Sequence, residues 1–120
     1  MQKLLDFFKT LSDQTRLRIM VLLSRKEFCV CELCSILQLP QPKVSAHLAK
    51  LRDMGYVQDE RQGQWIFYEL NIHDHTILEI IKIIAASKCE ILEDDWRNYL
   101  EKEKNNSLCE RKNKKNFKEA

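Results

Sequence analysis

The chain has 120 residues, 44% hydrophobic and 32% charged, with a formal net charge of +2. That length buries one core and not two, and the composition is that of an ordinary globular protein. No apolar run approaches the roughly 20 residues needed to cross a bilayer, and the opening MQKLLDFFKTLSDQ lacks a signal peptide's apolar region, so a cytoplasmic protein without a membrane partner is expected.

In that compartment five cysteines are not expected to form disulfides, because thiols are kept reduced there and an odd number cannot pair fully within one chain. Charge is uneven along the chain. Residues 101–120 carry seven Lys or Arg against four acids, which leaves residues 1–100 at −1. The expected division is a domain over 1–100 and a basic, disordered tail over 101–120.

QKLLDFFKTL spaces Leu4, Leu5, Phe8 and Leu11 at helical intervals and predicts a short amphipathic helix. SDQTRLRIMVLLS predicts a second, with Ser12 as N-cap and Leu17, Met20, Val21 and Leu23 or Ser24 along one stripe. VCELCSILQL predicts a third that ends before Pro40, since the residue preceding a proline avoids the helical region. QPKVSAHLAKLRDMG predicts a fourth, with Pro42 in the first turn, Val44, Leu48 and Leu51 inward and Gly55 as the stop. After Gly55 the period changes to two, and YVQDERQGQWIFYEL predicts a hairpin of residues 56–60 and 64–70 around RQG.

From Asp74 onward, DHTILEIIKIIAASKCEILEDDWRNYLEK reads as one continuous helix about 40 Å long, at about 1.5 Å per residue. Ile77, Ile80, Ile81, Ile84, Leu92, Trp96 and Leu100 are its candidates for burial. So long a helix outruns a core this small, and a second copy of the chain is the simplest cover, so a homodimer is expected. The expected class is α+β, mainly α: a winged helix-turn-helix with N-terminal and C-terminal helices for dimerisation.

With Val44, Leu48 and Leu51 inward, the fourth helix turns Gln41, Lys43, Ser45, His47 and Lys50 outward. Gln bonds adenine bidentately, Ser and His bond base edges or phosphates, and Lys neutralises phosphate. The hairpin tip adds Arg61, Gln62 and Gln64. Any one of these fits a merely solvated surface equally well; as a set beside a turn and a wing they point to double-stranded DNA. Asp53, Asp59 and Glu60 lie near that surface and weaken a monomer's grip. A dimer doubles the phosphate contacts, and two recognition helices about 34 to 36 Å apart call for an operator with inverted-repeat symmetry.

EFCVCELC places Cys29, Cys31 and Cys34 within six positions. Cysteine is often no more than a small buried apolar residue, but three so close suit one thiophilic ion. Bonds of about 2.3 Å, as in zinc thiolates, hold sulfurs about 3.5 to 4 Å apart. Cys31 and Cys34 share a helical face, whereas Cys29 and Cys31 stand about 200° apart around a helix. Either Cys29 precedes the first helical turn, or occupancy pulls that turn apart and moves the recognition helix that the third helix braces. Zinc prefers four ligands, and no histidine occurs before His47; As(III) or Sb(III) makes three bonds and fits better. Cys89 is expected in the core or interface side of the last helix and Cys109 in the tail, both as additional thiols; His73 and His75 are expected to be capping or surface residues.

EFCVCELC, followed by LQLPQPKVSAHLAKLRDMGYV and RQGQWIFYEL, resembles the ArsR/SmtB family of metal-sensing repressors. The likeness is to its arsenic- and antimony-responsive members, with signature E-L-C-V-C-D-L-C; Phe28 replaces Leu and Glu32 replaces Asp. The resemblance implies a homodimeric repressor on the operator of an arsenic-resistance operon, released when As(III) or Sb(III) binds Cys29, Cys31 and Cys34. It also implies a recognition helix carrying Gln41, Lys43, Ser45 and His47 and a wing around Gly63. Other branches bind zinc or nickel on the last helix through Asp-x-His and a later His and Glu. Here His73, Asp74 and His75 scramble the first pair and Ile84, Ala85 and Ala86 occupy the later position, so that site reads as absent.

Three alternatives stay open. One is the same fold sensing Cd, Pb, Zn or thiol oxidation. Another is a thiol-dependent reductase, against which stand the missing βαβ pattern and a total of two glycines. The last is a structural zinc module, which unfolds without its metal.

Overall fold

Asp13, not Ser12, opens the second helix: its carboxylate accepts the Arg16 N–H at 3.0 Å, a bond that also lowers the Asp13 pKa. Ser12 instead closes the first helix, its hydroxyl donating to the Lys9 carbonyl at 2.6 Å. The computed structural model describes residues 1–108, so the expectations for Cys109 and most of the tail lie outside the described residues. The elements are α1 Gln2–Leu11, α2 Gln14–Leu23, β1 Phe28–Cys29, α3 Val30–Leu37, α4 Gln41–Asp53, β2 Val57–Gln62, β3 Trp65–Leu70, α5 His75–Ala86 and α6 Glu90–Lys104.

The expected winged helix-turn-helix is present: α3 and α4 pack together, and β2 and β3 form the wing in register from Val57↔Leu70 to Gln62↔Trp65. Gly63, with φ of +63°, makes the two-residue turn between them, a backbone region open to glycine at little cost. The strand β1 was not foreseen. It pairs antiparallel with β3 as Phe28↔Tyr68 and Cys29↔Phe67, giving the sheet order β1-β3-β2. Two residues are too short to display a period of two, so no pattern announces such a strand.

The single long helix expected from Asp74 is two helices. Ser87 is extended (φ −72°, ψ 156°) and its hydroxyl takes up the Ile84 carbonyl at 2.6 Å; α6 restarts from Cys89 with Glu90 and Glu93 in its first turn. The break returns α6 to α2 and α3, where Leu92, Asp95 and Tyr99 are buried. Leu100, expected inside, is 50% exposed. Order also extends past residue 100: α6 continues through Lys104, and Leu108 is 1% exposed against the main core. Among the described residues no helix is long and apolar enough to cross a membrane.

The core lies where α2, α3 and α4 meet β1 and α5, around Phe7, Ile19, Phe28, Leu33, Leu48 and Ile81. Across it, Arg18 of α2 grips Asp95 of α6 through Nε–Oδ2 at 2.9 Å and Nη2–Oδ1 at 2.7 Å, and that hydrogen bonding raises the Arg18 pKa.

Candidate nucleic-acid interface and thiol site

α4 starts from Pro40, with Pro42 in its first turn where a missing N–H costs nothing. Val44, Leu48 and Leu51 are fully buried, as the period predicts. Gln41, Lys43 and Lys50 are exposed, and Ser45 and His47 half-buried. After the Arg16 N–H, His47 is among the groups whose charge lowers the Asp13 pKa. Arg61, Gln62 and Gln64 are exposed at the wing tip, where Arg61 Nε donates to the Gly63 carbonyl at 3.1 Å.

An ion pair from Arg52 Nη1 to Asp59 Oδ2 at 3.1 Å ties α4 to β2. Asp59, expected to repel phosphate, is thereby partnered. A recess of about 180 Å³ between α1, α2 and α4 brings Lys9 and Arg16 beside Lys50, with Asp6 in the same lining. The α4 pattern cannot reveal those two extra cations, because they reside on other helices.

The thiol segment begins off the helix. Cys29 ends β1 and is the N-cap of α3, extended at φ −87° and ψ 166° and 2% exposed. Of the two geometries open to three neighbouring sulfurs, this is the one with Cys29 before the first turn. Glu32, at the third helical position, is 1% exposed, and its Oε1 accepts the Cys29 N–H at 3.0 Å. The Cys29 side chain faces the Glu32 N–H in return, completing a capping box. Cys29 and Phe67 form a small buried cluster on which Cys31 and Trp65 pack; Cys34, one helical turn further, packs against the main core. Burial pushes the Cys34 thiol pKa up.

Cys34 and Cys89 are free thiols, whereas Cys31 is disulfide-bonded. The expectation of unpaired cysteines therefore fails at Cys31, a bond whose persistence depends on its reduction potential against the redox poise around the protein. Among the described residues no three His, Cys, Asp or Glu side chains converge closely enough to hold a metal ion. Cys89, expected in the core or interface, is an exposed residue at the α6 N-cap, because the helix breaks there. His73 and His75 are exposed, and Asp74 is the cap of α5, accepting the Thr76 and Ile77 N–H groups.

The far end of α3 leads straight to α4. Gln38 takes the left-handed conformation (φ 56°, ψ 48°), and the N–H groups of Gln38 and Leu39 both return to the Cys34 carbonyl. Asn98 of α6 donates to the Ile36 carbonyl at 2.6 Å, and Arg18 Nη2 to the Leu37 carbonyl at 3.4 Å. The turn is thus gripped from α3 itself, from α2 and from α6.

Residues 13–59 match the model of the bacterial regulatory protein, arsR family. Over 99 residues, covering 82% of this chain and 76% of the relative, the chain is 42% identical to the arsenical resistance operon repressor of Escherichia coli strain K12. Reduced HlyU from Vibrio cholerae N16961 superposes with a TM-score of 0.68 at 31% identity, over 74% of this chain and 92% of that one. The AntR antimony-specific transcriptional repressor superposes with a TM-score of 0.60 at 28% identity, over 68% of this chain and 73% of that one. With α3, the turn, α4 and the wing in place, these matches establish that the chain belongs to the arsR family of bacterial regulatory proteins, as a winged helix-turn-helix transcriptional regulator and not an enzyme.

Proposed function

We propose that this protein is a cytoplasmic repressor that binds double-stranded DNA as a homodimer and releases it when As(III) or Sb(III) binds Cys29, Cys31 and Cys34. The observation that carries this reading is the placement of the three cysteines at the start of α3, whose last carbonyls hold the turn into α4. The arsenical resistance repressor and the antimony-specific repressor among its relatives support the choice of ligand.

Charge supports it too. Neutral arsenous acid condenses with three thiols, three As–S bonds replacing three As–O bonds as three waters leave, so no net charge enters the site. A divalent cation on three thiolates leaves one negative charge where Cys29 is 2% exposed and Cys34 is held as a thiol by burial. Gathering the sulfurs to about 3.5 to 4 Å requires the N-terminal turn of α3 to rearrange. A coupling of about 2.7 kcal/mol from that rearrangement weakens operator binding about a hundredfold.

On the DNA side, Gln41, Lys43, Ser45, His47 and Lys50 read and anchor in the major groove, while Arg61, Gln62 and Gln64 reach the flanking backbone. Leu5 and Phe8 of α1 and Ile83 of α5, respectively 46%, 49% and 67% exposed, supply an apolar surface for a second copy. The operator then has inverted-repeat symmetry.

The disulfide at Cys31 favours a second reading, in which oxidation of that thiol is the signal. A gel shift with the reduced protein separates the two. Arsenite is expected to release the operator while zinc and peroxide leave it bound; release by peroxide alone rejects the metalloid reading.

A further inference from the structure

The thiol segment has a wall outside the cysteine motif. Cys29 pairs with Phe67 across β1 and β3, and these two residues form a buried cluster separate from the main core, with Cys31 and Trp65 packed on it. Phe67 and Trp65 are two positions apart on β3, so they present the same face of the sheet, while Ile66 between them is 39% exposed on the other. Across its other edge, β3 pairs with the outer wing strand as Phe67↔Glu60 and Trp65↔Gln62. Trp65 is the first strand residue after the Gly63-Gln64 turn. The aromatic wall of the thiol segment and the tip of the wing are therefore one piece of strand.

We propose that Trp65 is a positioning residue of the inducer site, and that drawing Cys29 and Cys31 onto one trivalent guest shifts Trp65 and the wing tip with it. This deepens the functional reading above and rests on it. Cys29 cannot move alone: its backbone is held by the Phe67 pairing and by the Glu32 carboxylate. Cys31 lies on the first turn of α3, so closing the sulfur spacing pulls helix and strand toward each other. The Trp65 ring, packed like Cys31 on the Cys29–Phe67 cluster, has to yield, because protein interiors are close-packed and a guest atom bonded to three sulfurs occupies new volume. Its register partner is Gln62, so the strain emerges at the candidate DNA-contacting residues of the wing. The signal then leaves the site by two routes, through α3 to α4 and through β3 to the wing.

The test uses the full reduced chain labelled with 5-fluorotryptophan, which has two resonances, from Trp65 and Trp96, assigned with Trp65→Phe. Sodium arsenite is expected to shift the Trp65 resonance, saturating at one equivalent per chain, while Trp96 on α6 stays in place. Trp65→Ala is expected to retain arsenite stoichiometry while the arsenite-induced loss of operator affinity shrinks about tenfold, a step within the usual range of allosteric coupling. A Trp65 signal unmoved by bound arsenite overturns the proposal, as does undiminished release in Trp65→Ala. Should Trp65→Ala not fold, the fluorine spectrum of the unmutated chain decides alone. Failure of the unmutated chain to bind arsenite overturns the functional reading and this proposal together, whereas bound arsenite with a silent Trp65 overturns this proposal only.

Discussion

The Leu39 backbone N–H donates to the Cys34 carbonyl at 3.3 Å, so the residue that carries a candidate inducer thiol also holds the turn that aims α4. Side chain and backbone of Cys34 therefore have separable duties. Cys34→Ser keeps the carbonyl and swaps a half-buried sulfur for a slightly smaller oxygen. Operator affinity is expected to stay within about 0.5 kcal/mol of the unmutated value, while arsenite no longer releases the DNA; fluorescence anisotropy with and without arsenite measures both.

Glu32 supplies an oxygen acceptor at the start of α3, which a pair of substitutions separates from its charge. Glu32→Gln retains an acceptor for the Cys29 N–H, whereas Glu32→Ala removes it from a residue 2% exposed. Urea unfolding is expected to show a loss of about 1 to 3 kcal/mol for the alanine variant, and less than half of that for glutamine. Equal losses would mean that the hydrogen bond is not what Glu32 contributes.

Arg18 and Asp95 have side chains 15% and 5% exposed. Removing one partner leaves the other charged in a poorly solvated place. Asp95→Ala is expected to cost about 3 to 5 kcal/mol in chemical denaturation, a large part of the roughly 5 to 15 kcal/mol of a typical domain. Because Arg18 also donates to the Leu37 carbonyl, the same variant should loosen the end of α3 and weaken operator binding even without arsenite.

Ile83 is 67% exposed on α5, and none of the described residues covers it. Ile83→Lys is expected to leave monomer stability within about 0.5 kcal/mol. In the proposed dimer it places a charge against apolar surface, and dissociation measured by sedimentation equilibrium should become at least about tenfold easier, the equivalent of about 1.4 kcal/mol. An unchanged dissociation constant would take α5 out of the interface.

The helix α4 and the wing were legible in the chain because each rests on a local signal. Val44, Leu48 and Leu51 repeat at helical spacing, Pro40 and Pro42 mark the start of α4, and the period drops to two after Gly55. The break at Ser87 was not legible: residues 87–89 hold neither Gly nor Pro, and the apolar spacing runs through them from Ile84 to Leu92. Asp95 could not be recognised as a buried acid, since its reason for burial is Arg18, 77 residues away.

By itself, the sequence determined the first four helices and the wing hairpin, the outward residues of α4 and the grouping of three thiols, because periodicity, proline geometry and spacing act within a few residues. Only the tertiary structure decided that Cys29 caps α3 from a strand, that Cys31 and Trp65 pack on the cluster of Cys29 and Phe67, and that α6 folds back to grip the end of α3. Those relationships come from strand pairing and side-chain packing between segments far apart in the chain, and burial satisfies such partners only when the whole core closes.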